Sequence, residues 1–125
     1  MRNKFVVEIT SSKSLDQVMF LLLHILQRKG WTVWHIYEQT DQHEPWMKPA
    51  GKIIDFYAPE YVSKIVNDKL DGLFYLPLRI EVRAGEKTIL TAIKPTFLGS
   101  VNSKLKKEYL DVLGKEIEGV MQKAT

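Results

Sequence analysis

The sequence predicts an α+β fold, in which an antiparallel sheet of about five strands carries two main helices packed on one face. Short stretches of alternating apolar and polar residues are typical of strands with one buried face. Two longer stretches repeat their apolar residues at helical spacing. Because the predicted strands follow one another through short turns, we expect antiparallel neighbours with the helices together on one side. The predicted order is β-α-β-β-(short α)-β-β-α, in a single domain spanning residues 1–125.

The first strand and the first helix are predicted from alternation and from capping residues. Residues 4–10 alternate between apolar and polar side chains and form the strand. Ser12 or Ser14 is expected to cap a helix over residues 15–29, because serine hydroxyls accept hydrogen bonds from free N–H groups. Gly30 then provides a natural end to that helix.

The middle of the chain is predicted to contain two strands, a loop and a short helix. Residues 31–40 are rich in β-branched and aromatic side chains, and residues 53–57 form the third strand. Residues 41–52 contain prolines and a glycine without a clear period, so they are interpreted as a loop. Residues 60–67 have one apolar side and are predicted as the short helix.

A β-hairpin is predicted next. Residues 76–84 alternate strictly, and a turn leads to a returning strand over residues 87–94. The alternation predicts which side chains face the helices, because successive residues of a strand point to opposite faces. The side chains expected to be buried are Leu78, Ile80 and Val82, and those expected to point away from the helices are Arg79, Glu81 and Arg83.

The start of the last helix is a candidate anion site. Pro95 and Gly99 are interpreted as a break, and a helix capped by Asn102 or Ser103 is predicted to reach about residue 123. Lysines crowd its first turn, where the helix dipole disfavours cations, so a phosphate or an anionic metabolite is a candidate ligand. The alternative is that these lysines are simply solvated. The residues assigned to this ligand site are Ser100, Asn102, Ser103, Lys104 and Lys107.

Composition limits the class of protein. With 125 residues, 45% of them hydrophobic, the chain is long and apolar enough for one globular core. The absence of cysteine excludes disulfides and thiolate chemistry and fits a cytoplasmic location. The longest apolar stretch, residues 18–26, is shorter than the roughly 20 residues of a membrane span, and no signal peptide is expected. The segment Asp41-Gln42-His43-Glu44 offers two carboxylates and an imidazole, but flexible local ligands rarely bind a metal well, so it is interpreted as a solvated loop. No metal site or cofactor is expected.

A strand motif carries a family resemblance. Gly72-Leu73 is followed by Leu76-Pro77-Leu78-Arg79-Ile80-Glu81-Val82. On this motif and on the order of elements, residues 25–99 resemble the DUF302 family, a group of small proteins of uncharacterised function. The resemblance implies a fold similar to the TATA-box-binding-protein-like class, a curved antiparallel sheet with two helices. The chain departs from the family pattern where Glu38-Gln39 replaces Asp-His and where Tyr57-Ala58-Pro59 replaces Gly-Asn-Pro.

A polar row is predicted across the sheet if the second and third strands pair in the right register. His35 would then meet Asp55, a residue type that is unfavourable inside strands. A histidine oriented by a carboxylate is a general-base arrangement. Together with Arg79, these residues are the candidate catalytic site on the open sheet face. The alternative is a cross-strand polar pair on a solvated surface.

Two aromatic residues are candidates for contacts outside the core. Trp46 lies in the predicted loop and is either a lid over a small apolar pocket or an anchor of the loop to the core. Phe20 falls among polar residues on the outer side of the first helix. We expect a second copy of the chain to bury Phe20 in a homodimer. The alternative is that the last helix or a loop covers Phe20 within the same chain.

These observations favour a small cytoplasmic binding or interaction domain, a homo-oligomer that binds a small anionic molecule or a partner. The first alternative is an enzyme that uses the candidate catalytic site. The second is a nucleic-acid binder that uses Arg79 and Arg83 on the open face. The net charge of +3 is small and Glu81 separates the two arginines, so nucleic acid is the less favoured partner. No contact with a membrane is expected.

Overall fold

A computed structural model describes residues 5–39, 51–65, 78–101 and 105–125, and within these ranges the chain forms five strands and four helices. In chain order they are β1 (Val6–Ser11), α1 (Leu15–Arg28), β2 (Thr32–Gln39), β3 (Gly51–Tyr57), α2 (Pro59–Ile65), β4 (Leu78–Arg83), β5 (Thr88–Ile93), α3 (Pro95–Val101) and α4 (Lys107–Lys123). The α+β fold class is confirmed. No helix of the described residues is long and apolar enough to cross a membrane.

The strands form one antiparallel sheet in the order β1-β5-β4-β3-β2. The predicted hairpin is β4 and β5, whose strands pair side by side. The strand β1 adds to the outer side of β5, and β2 adds to the outer side of β3. Consequently β1 and β2 are the two edges of the sheet that the described strands form, and β4 lies at its centre.

The helices cover one side of the sheet, which we call the helix face, and the other side is called the open face. The prediction for β4 is confirmed, because its even-numbered residues are buried and its odd-numbered residues lie on the open face. The side chain of Arg79 is 58% exposed. The two main helices, α1 and α4, pack against each other and against the sheet. Their fully buried side chains are Val18, Leu22, Leu26, Leu110, Leu113 and Met121.

The first helix begins and ends as its sequence predicts. The Ser14 hydroxyl accepts a hydrogen bond from the Gln17 backbone N–H at 3.2 Å, and the Gln17 side chain accepts one from the Ser14 backbone N–H at 3.0 Å. This reciprocal pair satisfies two N–H groups that the helix itself leaves free. Gly30 follows the helix at φ +75°, a backbone conformation that glycine adopts without strain.

The predicted start of the last helix is wrong. Pro95, interpreted from sequence as a break, instead begins the short helix α3, a first-turn position that proline tolerates because its missing N–H would be unpaired there. The helix α4 begins at Lys107, and its N-cap is Lys106, which makes no side-chain capping bond. Leu105 and Leu110 are both buried on either side of this cap, in the positions of a hydrophobic staple. Apolar packing therefore fixes the start of α4, and neither Asn102 nor Ser103 is its cap.

The strand β3 begins two residues earlier than predicted. Gly51 was assigned to a loop because glycine is common in loops, but it pairs with Gln39 and Arg83 on the neighbouring strands. A Cβ atom added to Gly51 would lie 3.1 Å from the backbone oxygen of Val82. Glycine at this position therefore permits close approach of two strands and does not interrupt the sheet.

Candidate functional site on the open face

The strand register brings the three candidate catalytic residues into one row. His35 lies directly across from Asp55, and Asp55 lies directly across from Arg79. Because directly paired residues of antiparallel strands share a face, all three belong to the open face. The register required by the sequence prediction is thus present, and the row runs over β2, β3 and β4.

A β-bulge in β2 adds a tryptophan to this row. The pairing steps from Val33 opposite Phe56 to His35 opposite Asp55, so Trp34 is an extra residue. Trp34 is 65% exposed, and its ring meets the Tyr57 ring edge-on with 5.3 Å between centroids. Trp34 and His35 therefore lie on the same face, although strict alternation along β2 would place them on opposite faces.

The carboxylate of Asp55 is the buried centre of the site. Its side chain is 3% exposed, and Arg79 lies over it. Arg79 Nε is 2.8 Å from Asp55 Oδ1, and Arg79 Nη2 donates a hydrogen bond to Oδ2 at 3.4 Å. The Nε contact is an ion pair without good hydrogen-bond alignment, since Oδ1 accepts no hydrogen bond. A buried carboxylate needs such a cation, because removing an unpaired charge from water is very costly.

Aromatic rings flank the arginine. The guanidinium carbon of Arg79 lies 5.6 Å from the centroid of the Tyr37 ring, a cation–π distance. The His35 ring meets the same Tyr37 ring edge-on, with 4.4 Å between centroids. Of the five N–H donors of a guanidinium, one donates to Asp55 Oδ2, the Nε–H group lies beside Oδ1, and the other three have no partner among the described residues. We call this set of side chains the aromatic–arginine cluster, and its members are Trp34, His35, Tyr37, Asp55, Tyr57 and Arg79.

His35 and Asp55 do not form the predicted histidine–carboxylate pair. In the described part of the chain, the ring contact of His35 is with Tyr37, whereas the ion pair of Asp55 is with Arg79. The geometry therefore orients the arginine rather than the imidazole.

The second arginine of the open face is already paired. Arg83 Nη2 lies 3.7 Å from Glu8 Oε1, and Arg83 Nε lies 3.1 Å from Glu81 Oε1. Counting the described Asp, Glu, Lys and Arg residues that the register places on this face, carboxylates outnumber arginines by one. The open face is therefore not a basic surface.

The residues of the predicted anion site are only partly described. Asn102, Ser103, Lys104 and the loop residue Trp46 lie outside the described residues. Ser100 is in α3, where its hydroxyl donates a hydrogen bond to the Phe97 carbonyl at 2.6 Å. Lys107 is the exposed first residue of α4. The described part of this segment thus contributes one exposed lysine and a hydroxyl whose hydrogen atom is already donated.

Phe20 is the most exposed large apolar residue in the described part of the chain. Its side chain is 70% exposed, and its ring stacks on His24 with 6.4 Å between centroids. Among the described residues, α4 leaves Phe20 exposed, and burial of Phe20 by a second copy of the chain stays a prediction. The predicted interface residue is thus available at the surface of α1.

A second polar network lies on the helix face. Trp31 Nε1 donates to Glu60 Oε1 at 2.7 Å, and Lys29 Nζ lies 3.5 Å from Glu116 Oε1. Burial raises the pKa of Tyr61 to about 12, and the hydrogen bond and charge of Glu116, with the charge of Glu60, act in the same direction. These groups join α2 to α4, and sequence patterns gave no indication of them because they are distant in the chain.

The two surface depressions described lie elsewhere. One of about 570 Å³ borders the turn from Arg83 to Ile89, and one of about 230 Å³ lies between α4, the start of α3 and Val7 of β1. Neither is lined by a residue of the aromatic–arginine cluster.

Comparison with known proteins identifies the fold. No family model matches the chain, and no curated protein matches it. The crystal structure of an uncharacterized conserved protein DUF302 from Bacillus stearothermophilus is similar, with a TM-score of 0.82 over 98% of this chain and 100% of that chain. The chain has a DUF302-like fold. The two sequences are 17% identical, so the likeness concerns the fold alone. The predicted similarity to the TATA-box-binding-protein-like class stays a prediction.

Proposed function

We propose that this protein is a cytosolic binding domain that holds a small anionic molecule at Arg79 on the open face. One observation carries the proposal: Arg79 is held in place by a buried carboxylate, yet its side chain is 58% exposed. The absence of cysteine supports a reducing compartment.

The contacts of Arg79 prepare it for a ligand. A free arginine side chain loses conformational entropy when it binds, and prior fixation removes much of that cost. Asp55 and Tyr37 fix the guanidinium from two directions while three of its donors have no partner among the described residues. A guanidinium fork suits carboxylate and phosphate groups, whose oxygens it contacts in pairs.

A role in stability alone explains this arrangement less well. Replacing a buried ion pair by apolar residues is often neutral or stabilising. A charged pair in the middle of an exposed sheet face is therefore weak evidence for stability, and the same pair is well suited to recognition.

The other two function classes fit the open face less well. An enzyme that uses His35 as a base needs Asp55 to orient the imidazole, but Asp55 pairs with Arg79. Binding of nucleic acid needs a surplus of cations, whereas carboxylates on this face outnumber arginines. Arg83, which would be the second phosphate contact, is already paired with two glutamates.

Nuclear magnetic resonance titration tests the proposal. Acetate, benzoate and phosphate are added separately at constant ionic strength, and the shifts of backbone amides and arginine Nε–H groups are followed. We expect at least one probe to give saturable shifts centred on Arg79. Arg79→Lys, which keeps the charge beside Asp55 but lacks the planar fork, should weaken that binding, whereas Arg83→Lys should not. Absence of saturable shifts for all three probes, or unchanged binding in Arg79→Lys, would overturn the proposal.

We also propose that the chain forms a homodimer through the outer side of α1. Phe20 is 70% exposed there, with the His24 ring stacked beside it. In a two-fold pair of antiparallel helices centred on Phe20, Asp16 lies opposite His24 of the partner subunit, so that a carboxylate acceptor faces an imidazole N–H donor. The contact is self-complementary, as two-fold symmetry requires.

Light scattering at micromolar concentration tests the dimer. The wild type is expected to have the mass of two chains, and Phe20→Asp that of one chain. Val112→Asp is the matched control, because Val112 is also exposed on a main helix, at 50%, and lies outside the proposed contact. A monomeric wild type, or a dimeric Phe20→Asp variant, would show that this interface is absent.

A further inference from the structure

Trp34 offers a stacking surface on the same open face as Arg79. The bulge in β2 places Trp34 on the open face, where it is 65% exposed. Its edge-on contact with Tyr57, at 5.3 Å between centroids, restricts the orientation of the indole. Bulges commonly redirect a side chain next to a functional site. The indole thus presents surface to solvent in a defined orientation, at the expense of exposing a large apolar side chain.

The strand β3 sets the spacing between the Trp34–Tyr57 ring pair and the Asp55–Arg79 ion pair. Tyr57 and Asp55 are two residues apart on one strand and share the open face, so they lie about 7 Å apart along it. Trp34 contacts Tyr57. Arg79 contacts Asp55. A molecule that reaches both pairs needs an apolar group and an acidic group separated by only a few bonds.

We infer that the ligand of the aromatic–arginine cluster is a small planar aromatic carboxylate, with its ring against Trp34 and its carboxylate on Arg79. This inference rests on the proposed function, because it requires an anion at Arg79. A flat ring suits this surface because it can bury one whole side by stacking on a single indole ring. A bulky aliphatic group buries its surface only where side chains surround it.

The charges favour a carboxylate over a phosphate. Carboxylates already outnumber arginines among the described residues of the open face, so a doubly charged ligand would meet about twice the repulsion of a singly charged one there. A carboxylate carries one charge, and its two oxygens match the planar fork of a guanidinium. Arg79 is the more exposed of the two arginines, 58% against 40%, and it has one neighbouring carboxylate where Arg83 has two, Glu8 and Glu81.

A pair of probes separates the aromatic requirement from the charge requirement. Phenylacetate and cyclohexylacetate carry the same carboxylate and have similar size, but only the first has a flat ring. Their dissociation constants are measured by the same resonance titration at constant ionic strength. We expect phenylacetate to bind about fivefold more tightly, the ratio that corresponds to one modest aromatic contact.

Two variants assign the difference to Trp34. Trp34→Leu should weaken phenylacetate binding about fivefold and leave cyclohexylacetate binding unchanged, whereas Trp34→Phe should retain most of the difference. Ile93→Ala is the control, since Ile93 is 55% exposed on the same face but lies outside the cluster.

The possible failures are distinguishable. If both probes bind equally through Arg79, or if Trp34→Leu leaves their ratio unchanged, the inference of an aromatic ligand is wrong while the proposed anion binding stands. If no anionic probe binds in a manner that depends on Arg79, the proposed function itself is wrong, and the inference is overturned with it.

Discussion

Asp55 and Arg79 face each other across β3 and β4 with very unequal exposure, 3% for the carboxylate side chain and 58% for the arginine side chain. Their closest atoms, Asp55 Oδ1 and Arg79 Nε, are 2.8 Å apart. Water therefore reaches one member of the ion pair and hardly reaches the other. Removing the arginine leaves a buried charge, whereas removing the carboxylate leaves a cation that solvent can accommodate.

The first prediction follows from that asymmetry. Arg79→Ala should lower the free energy of unfolding by about 2 kcal/mol, less than the 3–5 kcal/mol typical of a fully buried pair, because water can partly replace the guanidinium. In the Asp55→Asn background the same substitution should cost much less, since no buried charge is left unpaired. Urea denaturation of the four proteins in this cycle measures the difference. Equal costs in both backgrounds would show that the pair has no coupling energy.

The second prediction concerns alkaline pH. The pKa of Tyr61 is about 12 in the folded chain against an ordinary value of 10.0, so the fold holds this proton more tightly than the unfolded chain does. Its contribution to stability is therefore complete below pH 10.0 and is lost as the pH rises towards about 12. Ultraviolet titration of tyrosinate should show a late phase that Tyr61→Phe removes and Tyr37→Phe leaves in place. A wild type without that phase would refute the assignment.

The third prediction tests the cap of α1. Ser14→Ala removes the acceptor for the Gln17 N–H and should destabilise the protein by about 1 kcal/mol. Ser12→Ala is the control, because Ser12 is exposed and precedes the cap, and it should change stability little. The midpoints of chemical denaturation measure both effects. If the two variants have the same stability, the capping box does not contribute.

The fourth prediction compares two glycines that are not equivalent. Gly51→Ala should destabilise the sheet, because the new Cβ atom would lie 3.1 Å from the backbone oxygen of Val82. Gly119→Ala should stabilise the protein by about 0.5–1 kcal/mol, since nothing lies within 4 Å of a Cβ there and alanine is the better helix former. Thermal unfolding of both variants tests the opposite signs. A stable Gly51→Ala protein would show that the strands separate easily at this point.

Local patterns predicted the parts of the fold that depend on neighbouring residues. Strict alternation in β4 predicted which face Arg79 occupies, and Ser14 with Gly30 predicted the limits of α1. The start of α4 was missed because it depends on the burial of Leu105 and Leu110. Their packing stabilises a start at Lys107 more than a polar capping residue would stabilise an earlier one.

The candidate site was predictable only in part, for a similar reason. The pairing of His35 with Asp55 followed from plausible strand pairing, but the bulge that adds Trp34 arises from unequal lengths of two paired strands. Neither strand shows this by itself, because a bulge is a property of the pair. The preference of Asp55 for Arg79 over His35 likewise depends on a third strand that is distant in the sequence.

The bulge at Trp34 has a consequence for how molecules of this protein meet. Among the described strands, β2 is an edge of the sheet, and its outer N–H and C=O groups form a row that another strand could extend. Between Val33 and His35 that row loses its regular spacing. A strand from another molecule would lose its alignment halfway along, so we expect the bulge to limit growth of the sheet into fibrillar aggregates from this edge.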